Sequence, residues 1–172
     1  MKITASAKKN NVSYRAVTDA IAFLKKYEVC IGVPENAAER KDSKDTPVNN
    51  AELLFIHTNG SPVNNIPPRP VLEPAIKQNN IRVSANMKKA VDAAVEGKRK
   101  DILPSLEMAG LDGQNLARKY FTDSTNRWKQ NAPATVEKKT KGKGGIARPL
   151  IDTDEMRKSI TYVVREVEND RR

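Results

Sequence analysis

The sequence predicts an α+β fold in which several helices pack on a small antiparallel sheet, with long loops and a proline-rich connector. Two short runs have the character of strands. Glu28 to Val33 is apolar and is closed by a proline, and side chains alternate from Ile160 to Val164, where β-branched residues are frequent. The stretches between these runs carry apolar residues at helical spacing. We therefore expect the two strands to pair and the helices to pack against them.

The composition of the chain favours one domain, residues 1–172, with a flexible polar arm over residues 1–12. Hydrophobic residues make up 38% of the chain and aromatic residues 5%, which leaves room for long irregular segments. The net charge of +10 suits contact with phosphate or with an acidic protein surface. No apolar run is long enough to span a bilayer and no secretory signal is visible, so the sequence predicts a cytoplasmic protein without membrane contact.

The first helix is predicted to begin at a Ser13 cap, and a polar loop is predicted to follow the first strand. Residues Glu35 to Asn49 are charged or turn-forming and show no periodicity, so we expect an exposed loop. Cys30 is the single cysteine and is interpreted as a small buried hydrophobic residue. One face of the first helix is predicted to carry Val17, Ala20, Ile21, Leu24 and Tyr27.

A second helix is predicted to start at Asn50, to be mostly buried and to end at Asn59 and Gly60, which tolerate a left-handed backbone. His57, the only histidine, lies inside this helix. Because no second histidine, no further cysteine and no carboxylate cluster accompany it, we expect a packing or hydrogen-bonding role and no metal or cofactor site. One side of this helix is predicted to hold Ala51, Leu54, Phe55 and Thr58.

Five prolines from Pro62 to Pro74 predict a stiff, extended connector, with Pro74 as the first residue of the next helix. Helical spacing of apolar residues then continues over residues 75–97 and 102–120. We expect two helical segments joined between Gly97 and Asp101. Gly110 and Gly113 predict close packing or a kink in the second segment.

The last third of the chain contains the only tryptophan, a basic loop and a short helix. Residues 138–148 are predicted to form a flexible, solvated loop, because they are rich in glycine and lysine but lack the spacing of a phosphate-binding P-loop. Asp152 is predicted to cap a helix from Asp154 to Lys158, with Glu155 reaching back as in a capping box. Candidates for contact with DNA or a protein partner are Lys138, Lys139, Lys141, Lys143 and Arg148.

Two stretches of this chain carry a family resemblance when they are taken together. AELLFIHTNGSPVNNIPPRPVLEPAI has a short helix, a glycine turn and an Ile-Pro-x-Arg-Pro-x-Leu-x-Pro-Ala series, and WKQNAPATVEKKTKGKGGIARPLIDTDEMRKSITYVV has a Trp, a Pro-x-Thr, a basic loop and a Leu-x-Asp-Thr series. They resemble small virion-assembly proteins of long-tailed bacteriophages, the tail-completion or neck group. The matching positions are Gly60, Pro67, Arg69, Pro70, Pro74, Trp128, Pro133, Thr135, Leu150, Asp152, Thr153, Ser159 and Ile160.

The resemblance implies a structural, non-enzymatic protein of the virion that completes the tail and joins it to the head as a ring, with six subunits, in the neck. It implies partners such as tail terminator, tail tube or head-completion (stopper) proteins, and assembly in the bacterial host cytoplasm. Asp154 and Met156 depart from the pattern, since the group usually has glycine and leucine there. The alternative is a DNA-associated head-completion or packaging factor that uses the basic surface, with DNA contact in the lumen of the ring.

Overall fold

The computed structural model describes residues 13–39, 48–141, 147–150 and 154–167. Over these residues the chain forms seven α-helices and one two-stranded antiparallel sheet, so the predicted α+β class is confirmed. In chain order the elements are α1 (Tyr14–Leu24), β1 (Tyr27–Gly32), α2 (Asn50–Asn59), α3 (Leu72–Gln78), α4 (Ile81–Val95), α5 (Ile102–Tyr120), α6 (Pro133–Thr140), α7 (Glu155–Ser159) and β2 (Thr161–Glu166).

The sheet pairs β1 with β2, as the sequence predicts. The register places Val29 opposite Val164. The side chains of β2 alternate only in part, since Val163 is 41% exposed while Tyr162 and Val164 are half-buried. One face of the sheet is therefore covered, and α5 is the helix that covers it.

Close approach between α5 and the sheet depends on two glycines. A Cβ atom at Gly110 would overlap the ring of Tyr162, whose Cγ would lie 2.8 Å away. A Cβ atom at Gly113 would overlap the side chain of Ile31. Gly110 and Gly113 are both buried, and the predicted close packing at these positions is confirmed. Thr161 at the start of β2 donates a hydrogen bond to Gln114 of α5 at 2.8 Å.

The helices bury two groups of side chains on either side of the middle of α5. The first group joins α2, α3, the end of α5 and α7, and the second joins α1, α4 and the start of α5. The first group underlies the candidate site described below. Its buried members are Leu54, Val71, Ala75, Ala117, Tyr120, Phe121, Met156 and Ile160.

The start of α2 is fixed by a capping box one residue before the predicted Asn50. The Asn49 side chain accepts hydrogen bonds from the backbone N–H groups of Ala51 and Glu52, both at 2.9 Å. The Glu52 carboxylate in turn accepts from the Asn49 backbone N–H at 2.9 Å. Three donors that a helix leaves unpaired at its start are thereby satisfied, which sets the position of His57 two turns further along α2.

Replacing Asn49 with Ala is expected to lower the free energy of unfolding by about 1 kcal/mol, because the first-turn N–H groups lose their acceptor. Urea denaturation followed by circular dichroism measures this change. Asn115→Ala is the matched control, since Asn115 is exposed within α5 and its side chain caps no helix end. Equal midpoints for the two variants would contradict the role given to the cap.

Two predicted helix faces differ from those observed. In α1 the Ser13 side chain makes no capping hydrogen bond, Ile21 is 37% exposed, and Tyr27 already belongs to β1. In α2 the buried side centres on Leu54, whereas Phe55 is 69% exposed. The prediction that α2 is mostly buried is therefore wrong, because the helix is apolar around its circumference and only one side meets the core.

The connector and the helices after it differ in detail from the prediction. Pro62–Asn64 form a 3₁₀ turn before the extended part of the connector begins. Pro74 is the third residue of α3 and not the first. The predicted segment over residues 75–97 is divided after Gln78, and the predicted break between Gly97 and Asp101 is present.

Two predicted loops are shorter or more ordered than expected within the described residues. The loop over residues 35–49 was predicted to be exposed, but Glu35–Ala37 form a 3₁₀ turn and Ala38 is buried, where its carbonyl accepts from the Asn50 backbone N–H at 2.7 Å. Of the predicted loop over residues 138–148, residues 138–140 belong to α6 and residues 142–146 lie outside the described residues. The arm over residues 1–12 lies outside the described residues.

Candidate functional site

The two stretches that carry the resemblance meet in space, although they lie far apart along the chain. The Arg69 guanidinium donates through Nε and Nη2 to the carbonyl oxygen of Lys129, at 3.1 and 2.9 Å. Its Nη2 also donates to the carbonyl oxygen of Gln130 at 3.2 Å. In return the indole Nε1 of Trp128 donates to the carbonyl oxygen of Pro70 at 3.2 Å. These reciprocal bonds join the connector to residues 128–130, and we call the unit the Arg69–Trp128 brace.

Aromatic packing attaches this brace to the core. The Trp128 ring meets Tyr120 edge-on with centroids 5.7 Å apart, and it meets Phe121 edge-on at 6.2 Å. Tyr120 and Phe121 are buried at the end of α5. Edge-to-face pairs of this kind add stabilisation beyond the apolar area they bury. The single tryptophan is therefore held between the end of α5 and the proline-rich connector.

Gly60 lets the connector turn back against α2. Its φ of 76° is left-handed, and a Cβ atom there would lie 2.9 Å from both the Ile66 carbonyl oxygen and the Pro68 nitrogen. A side chain would strain the backbone and also collide with the connector. The turn brings the Arg69 backbone N–H to the carbonyl oxygen of His57 at 2.6 Å. The positive φ expected for a left-handed exit at Gly60 is present, whereas its ψ of 174° lies outside the αL region.

The other predicted motif residues divide between the core, helix ends and the groove described next. Ile160 is buried, and the Ser159 hydroxyl donates to the Met156 carbonyl oxygen at 2.8 Å. Pro133 is the first residue of α6. Asp152, Thr153 and Lys143 lie outside the described residues, so the predicted Asp152 cap is not seen.

Asp154 stands directly before α7 with a φ of 62°. This left-handed conformation is one that glycine adopts without strain, and aspartate is among the few other residues that tolerate it. Asp154, which departs from the pattern of the group that the sequence resembles, therefore occupies a backbone position that suits glycine. The Asp154 carboxylate accepts from Arg157 Nη2 at 2.9 Å.

A groove of about 460 Å³ opens beside the Arg69–Trp128 brace. Its walls come from α2, the connector, the start of α6 and the start of α7, so both matched stretches contribute. The polar lining includes His57, Arg69 and Thr135, and the apolar lining includes Leu53 and Leu150. This is the candidate site, and we call it the His57 groove.

His57 lies on the wall of this groove with one ring nitrogen unsatisfied. Its Nδ1 is buried and has no hydrogen-bond partner among the described residues. Burial, followed by the positive charges of Arg69 and Lys139, lowers the pKa of His57 from 6.5 to about 4. The imidazole is therefore neutral near neutral pH. The prediction of a hydrogen-bonding or packing role stays a prediction, because the buried Nδ1 lacks a bond.

The shifted pKa predicts that His57 makes folding sensitive to acid. Above pH 6.5 the imidazole is neutral in both the folded and the unfolded protein. As pH falls from 6.5 towards about 4, the unfolded chain takes up a proton on His57 that the folded chain does not. The free energy of unfolding should fall across that window and lose nothing further from this group below it. The urea midpoint of wild type should fall relative to that of His57→Gln as pH falls from 6.5 to about 4, and parallel pH profiles would contradict the shift.

The predicted basic contacts are partly engaged within the protein. Lys139 Nζ donates to the carbonyl oxygen of Arg148 at 3.3 Å. Lys141 pairs with Glu137 one helical turn earlier, with Nζ and Oε1 2.6 Å apart. Lys138 is exposed in the last turn of α6. Basic charge is therefore concentrated at the end of α6, where it is partly neutralised by acidic residues.

Cys30 is half-buried in β1 and forms no disulfide, so the expectation of a buried position is only partly met. No group of three or more His, Cys, Asp and Glu side chains in the described part of the chain is placed to hold a metal ion. None of the helices formed by the described residues has the length and apolar character needed to cross a membrane.

Comparisons of the chain with protein-family models, with curated proteins and with solved structures find no match.

Sequence reasoning missed two features of the site. The Arg118 guanidinium of α5 donates to the carbonyl oxygens of Ile160 at 2.8 Å and Lys158 at 3.0 Å, which fixes the end of α7. The Asn131 amide donates to the Ala147 carbonyl oxygen at 2.9 Å. All three bonds join residues that are distant in the chain and leave no local pattern, so no signal in the sequence marks them.

Proposed function

We propose that this protein is a structural component of a long-tailed bacteriophage virion that completes the tail and joins it to the head. The observation that carries the proposal is the Arg69–Trp128 brace. It brings the two resembling stretches together across 60 residues of sequence into one unit beside a groove. Residues with a shared structural purpose are expected to lie together in this way. The proposed role works through subunit contacts and requires no turnover.

Exposed apolar side chains on α4 support a role in assembly. Met87, Val91 and Val95 are 40%, 48% and 55% exposed. They recur every fourth residue, so they form one stripe along the outside of the helix. We call them the α4 stripe. Contiguous apolar surface of this kind is typical of a protein interface.

We infer that copies of this protein assemble through the α4 stripe into a closed homo-oligomeric ring, proposed as a hexamer in the neck of the virion. The ring would meet tail terminator, tail tube or head-completion (stopper) proteins, after assembly in the cytoplasm of the bacterial host. Light scattering of the purified protein, alone and with phage tails, at low and high salt, tests this role. A ring or tail complex that persists at high salt supports this role, and a monomer that does not bind tails contradicts it.

Val91→Glu is expected to weaken ring formation, or tail binding, by about tenfold or more, because a carboxylate would be buried in an apolar contact. Light scattering over a protein dilution series measures the change. Val63→Glu is the matched control, since Val63 is 93% exposed on the turn after α2 and lies outside the α4 stripe. Equal effects of the two substitutions would contradict the proposed interface.

A second proposal, a DNA-associated head-completion or packaging factor, is favoured by one observation. Lys138, Lys139 and Lys141 lie together at the end of α6, next to Arg148. Binding dominated by phosphate contacts weakens steeply as salt rises from about 50 to 200 mM. A fluorescent duplex titrated with the protein over that range distinguishes the two roles, because a ring held by apolar contacts persists.

A further inference from the structure

The His57 groove contains a buried arginine with donors to spare. Arg69 is only 6% exposed, and its Nε and Nη2 are occupied by the carbonyl groups of Lys129 and Gln130. Its remaining nitrogen, Nη1, makes no hydrogen bond within the described part of the chain. A guanidinium offers five N–H donors in a planar fork that matches an oxyanion. Nη1 therefore leaves two donors for a ligand.

His57 supplies a second unsatisfied group on the same groove. Its buried Nδ1 has no partner in the described residues, and both Arg69 and Lys139 are near enough for their charges to act on the imidazole. A buried polar atom without a bond costs free energy. Two polar groups from different segments, α2 and the connector, thus lack a hydrogen-bond partner within the described residues.

The charges around His57 favour a single negative charge. Arg69 and Lys139 are cationic, while Asp154 and Glu155 also line the groove. Asp154 is already paired with Arg157. Acidic groups on the same lining oppose a doubly charged phosphate more strongly than a single carboxylate.

The rest of the lining combines polar side chains, such as Asn131 and Thr135, with apolar ones. Leu53, Ile66, Pro67, Leu150 and Met156 share the groove with the polar residues. A mixture of apolar walls and a few fixed polar atoms is the usual composition of a ligand site. The phosphates of duplex DNA stand on a convex backbone, whereas a peptide in extended form can place one acidic side chain inside and apolar neighbours along the walls.

We propose that the His57 groove binds an extended peptide segment of a partner protein through one carboxylate, which accepts hydrogen bonds from Arg69 Nη1 and from His57, with apolar residues of the peptide against the groove walls. The inference concerns the chemistry of the bound segment. It rests on the groove alone and holds whether or not the protein joins tails to heads.

Because His57 is the only histidine, its ring gives a single set of NMR signals that report on the groove. The probe is the blocked tripeptide acetyl-Leu-Asp-Leu-amide. The matched probes are the same peptide with Asn in place of Asp, and inorganic phosphate. We expect the Asp peptide to shift the His57 signals in a saturable way, to raise the pH at which the ring titrates, and to bind about tenfold more tightly than the Asn peptide.

Calorimetric titration of variants completes the test. His57→Gln is expected to lower the affinity for the Asp peptide by about tenfold. Lys77→Ala, an exposed change on α3 that does not line the groove, should leave binding unaltered. Because Arg69 also braces the fold, Arg69→Lys is included only if its thermal unfolding remains cooperative, and it too should weaken binding.

Several results would overturn the proposal. They are equal affinity for the Asp and Asn peptides, phosphate binding tighter than the Asp peptide, unchanged affinity in His57→Gln, or no saturable shift of the His57 signals. Tighter phosphate binding would replace the carboxylate with a phosphate ligand. Failure of tail joining in the light-scattering experiment would leave the peptide result intact, so the two proposals are distinguished.

Discussion

Arg69→Ala is expected to lower the free energy of unfolding by about 3 kcal/mol. The substitution removes a charged donor whose three hydrogen bonds reach the carbonyl oxygens of Lys129 and Gln130, and it leaves a space where the guanidinium is 6% exposed. Hydrogen bonds from a charged group contribute more than neutral ones, and part-buried carbonyl groups without a donor add a further cost. Urea denaturation followed by far-ultraviolet circular dichroism measures the loss.

Two control variants distinguish the hydrogen bonds of the Arg69–Trp128 brace from the effect of the positive charge alone. Arg69→Lys keeps the positive charge but cannot form the planar fork to both carbonyl groups, so it should recover less than half of the loss. Lys77→Ala removes an exposed charge paired only with Glu73 and should change the free energy by less than about 0.5 kcal/mol. An Arg69→Ala midpoint as close to wild type as that of Lys77→Ala would contradict the brace.

Trp128→Ala is expected to cost about 3 kcal/mol, because the cavity it leaves faces the buried rings of Tyr120 and Phe121. The loss also removes the donor to the Pro70 carbonyl oxygen, which frees the connector from residues 128–130. Circular dichroism is the readout, since the variant has no tryptophan fluorescence.

Trp128→Phe separates the contribution of aromatic packing from that of the indole hydrogen bond to the Pro70 carbonyl oxygen. Phenylalanine retains most of the aromatic packing and lacks the indole N–H, so its cost should be about 1 kcal/mol. If Trp128→Phe were as destabilising as Trp128→Ala, the hydrogen bond to Pro70 and not the packing would be the main contribution. If neither variant shifted the urea midpoint, the brace would be absent in solution.

Local patterns predicted much of the fold. A short apolar run closed by Pro34 predicts the first strand, an alternating run rich in β-branched residues predicts the second, and their pairing follows from having two such runs in the chain. The break before α5 and the close packing at Gly110 and Gly113 were also predicted, because glycine and proline act on the backbone where they stand. These features depend on neighbours a few residues apart, which is the range that a sequence pattern covers.

The errors have physical causes at particular residues. The helix α2 is apolar on all sides, so spacing could not tell that Phe55 faces solvent while Leu54 faces the core. Pro74 fits any position in the first turn of a helix, so the start of α3 at Leu72 was not determined by it. The lysine-rich end of α6 has the composition of a loop but continues the helix that begins at Pro133.

The sequence identifies residues of the candidate site but does not show that they lie together in the folded protein. Arg69 and Trp128 were singled out by resemblance, yet the bonds between their segments span about 60 residues and have no counterpart in local spacing. The unsatisfied Nδ1 of His57 arises from burial by α2, the connector and α6 together. Such features depend on tertiary packing, which a single sequence does not reveal.

The sheet sets an order of events during synthesis. The ion pair between Glu28 of β1 and Arg165 of β2 joins residues 137 positions apart. Contacts this distant form slowly, since the intervening chain must first be brought together. On the ribosome, β1 emerges before β2 and has no strand partner while α4 and α5, which are adjacent in the chain, can already pack on each other. The first strand is therefore left as an unpaired edge until β2 has also been made, which is the interval in which it is most open to wrong pairing.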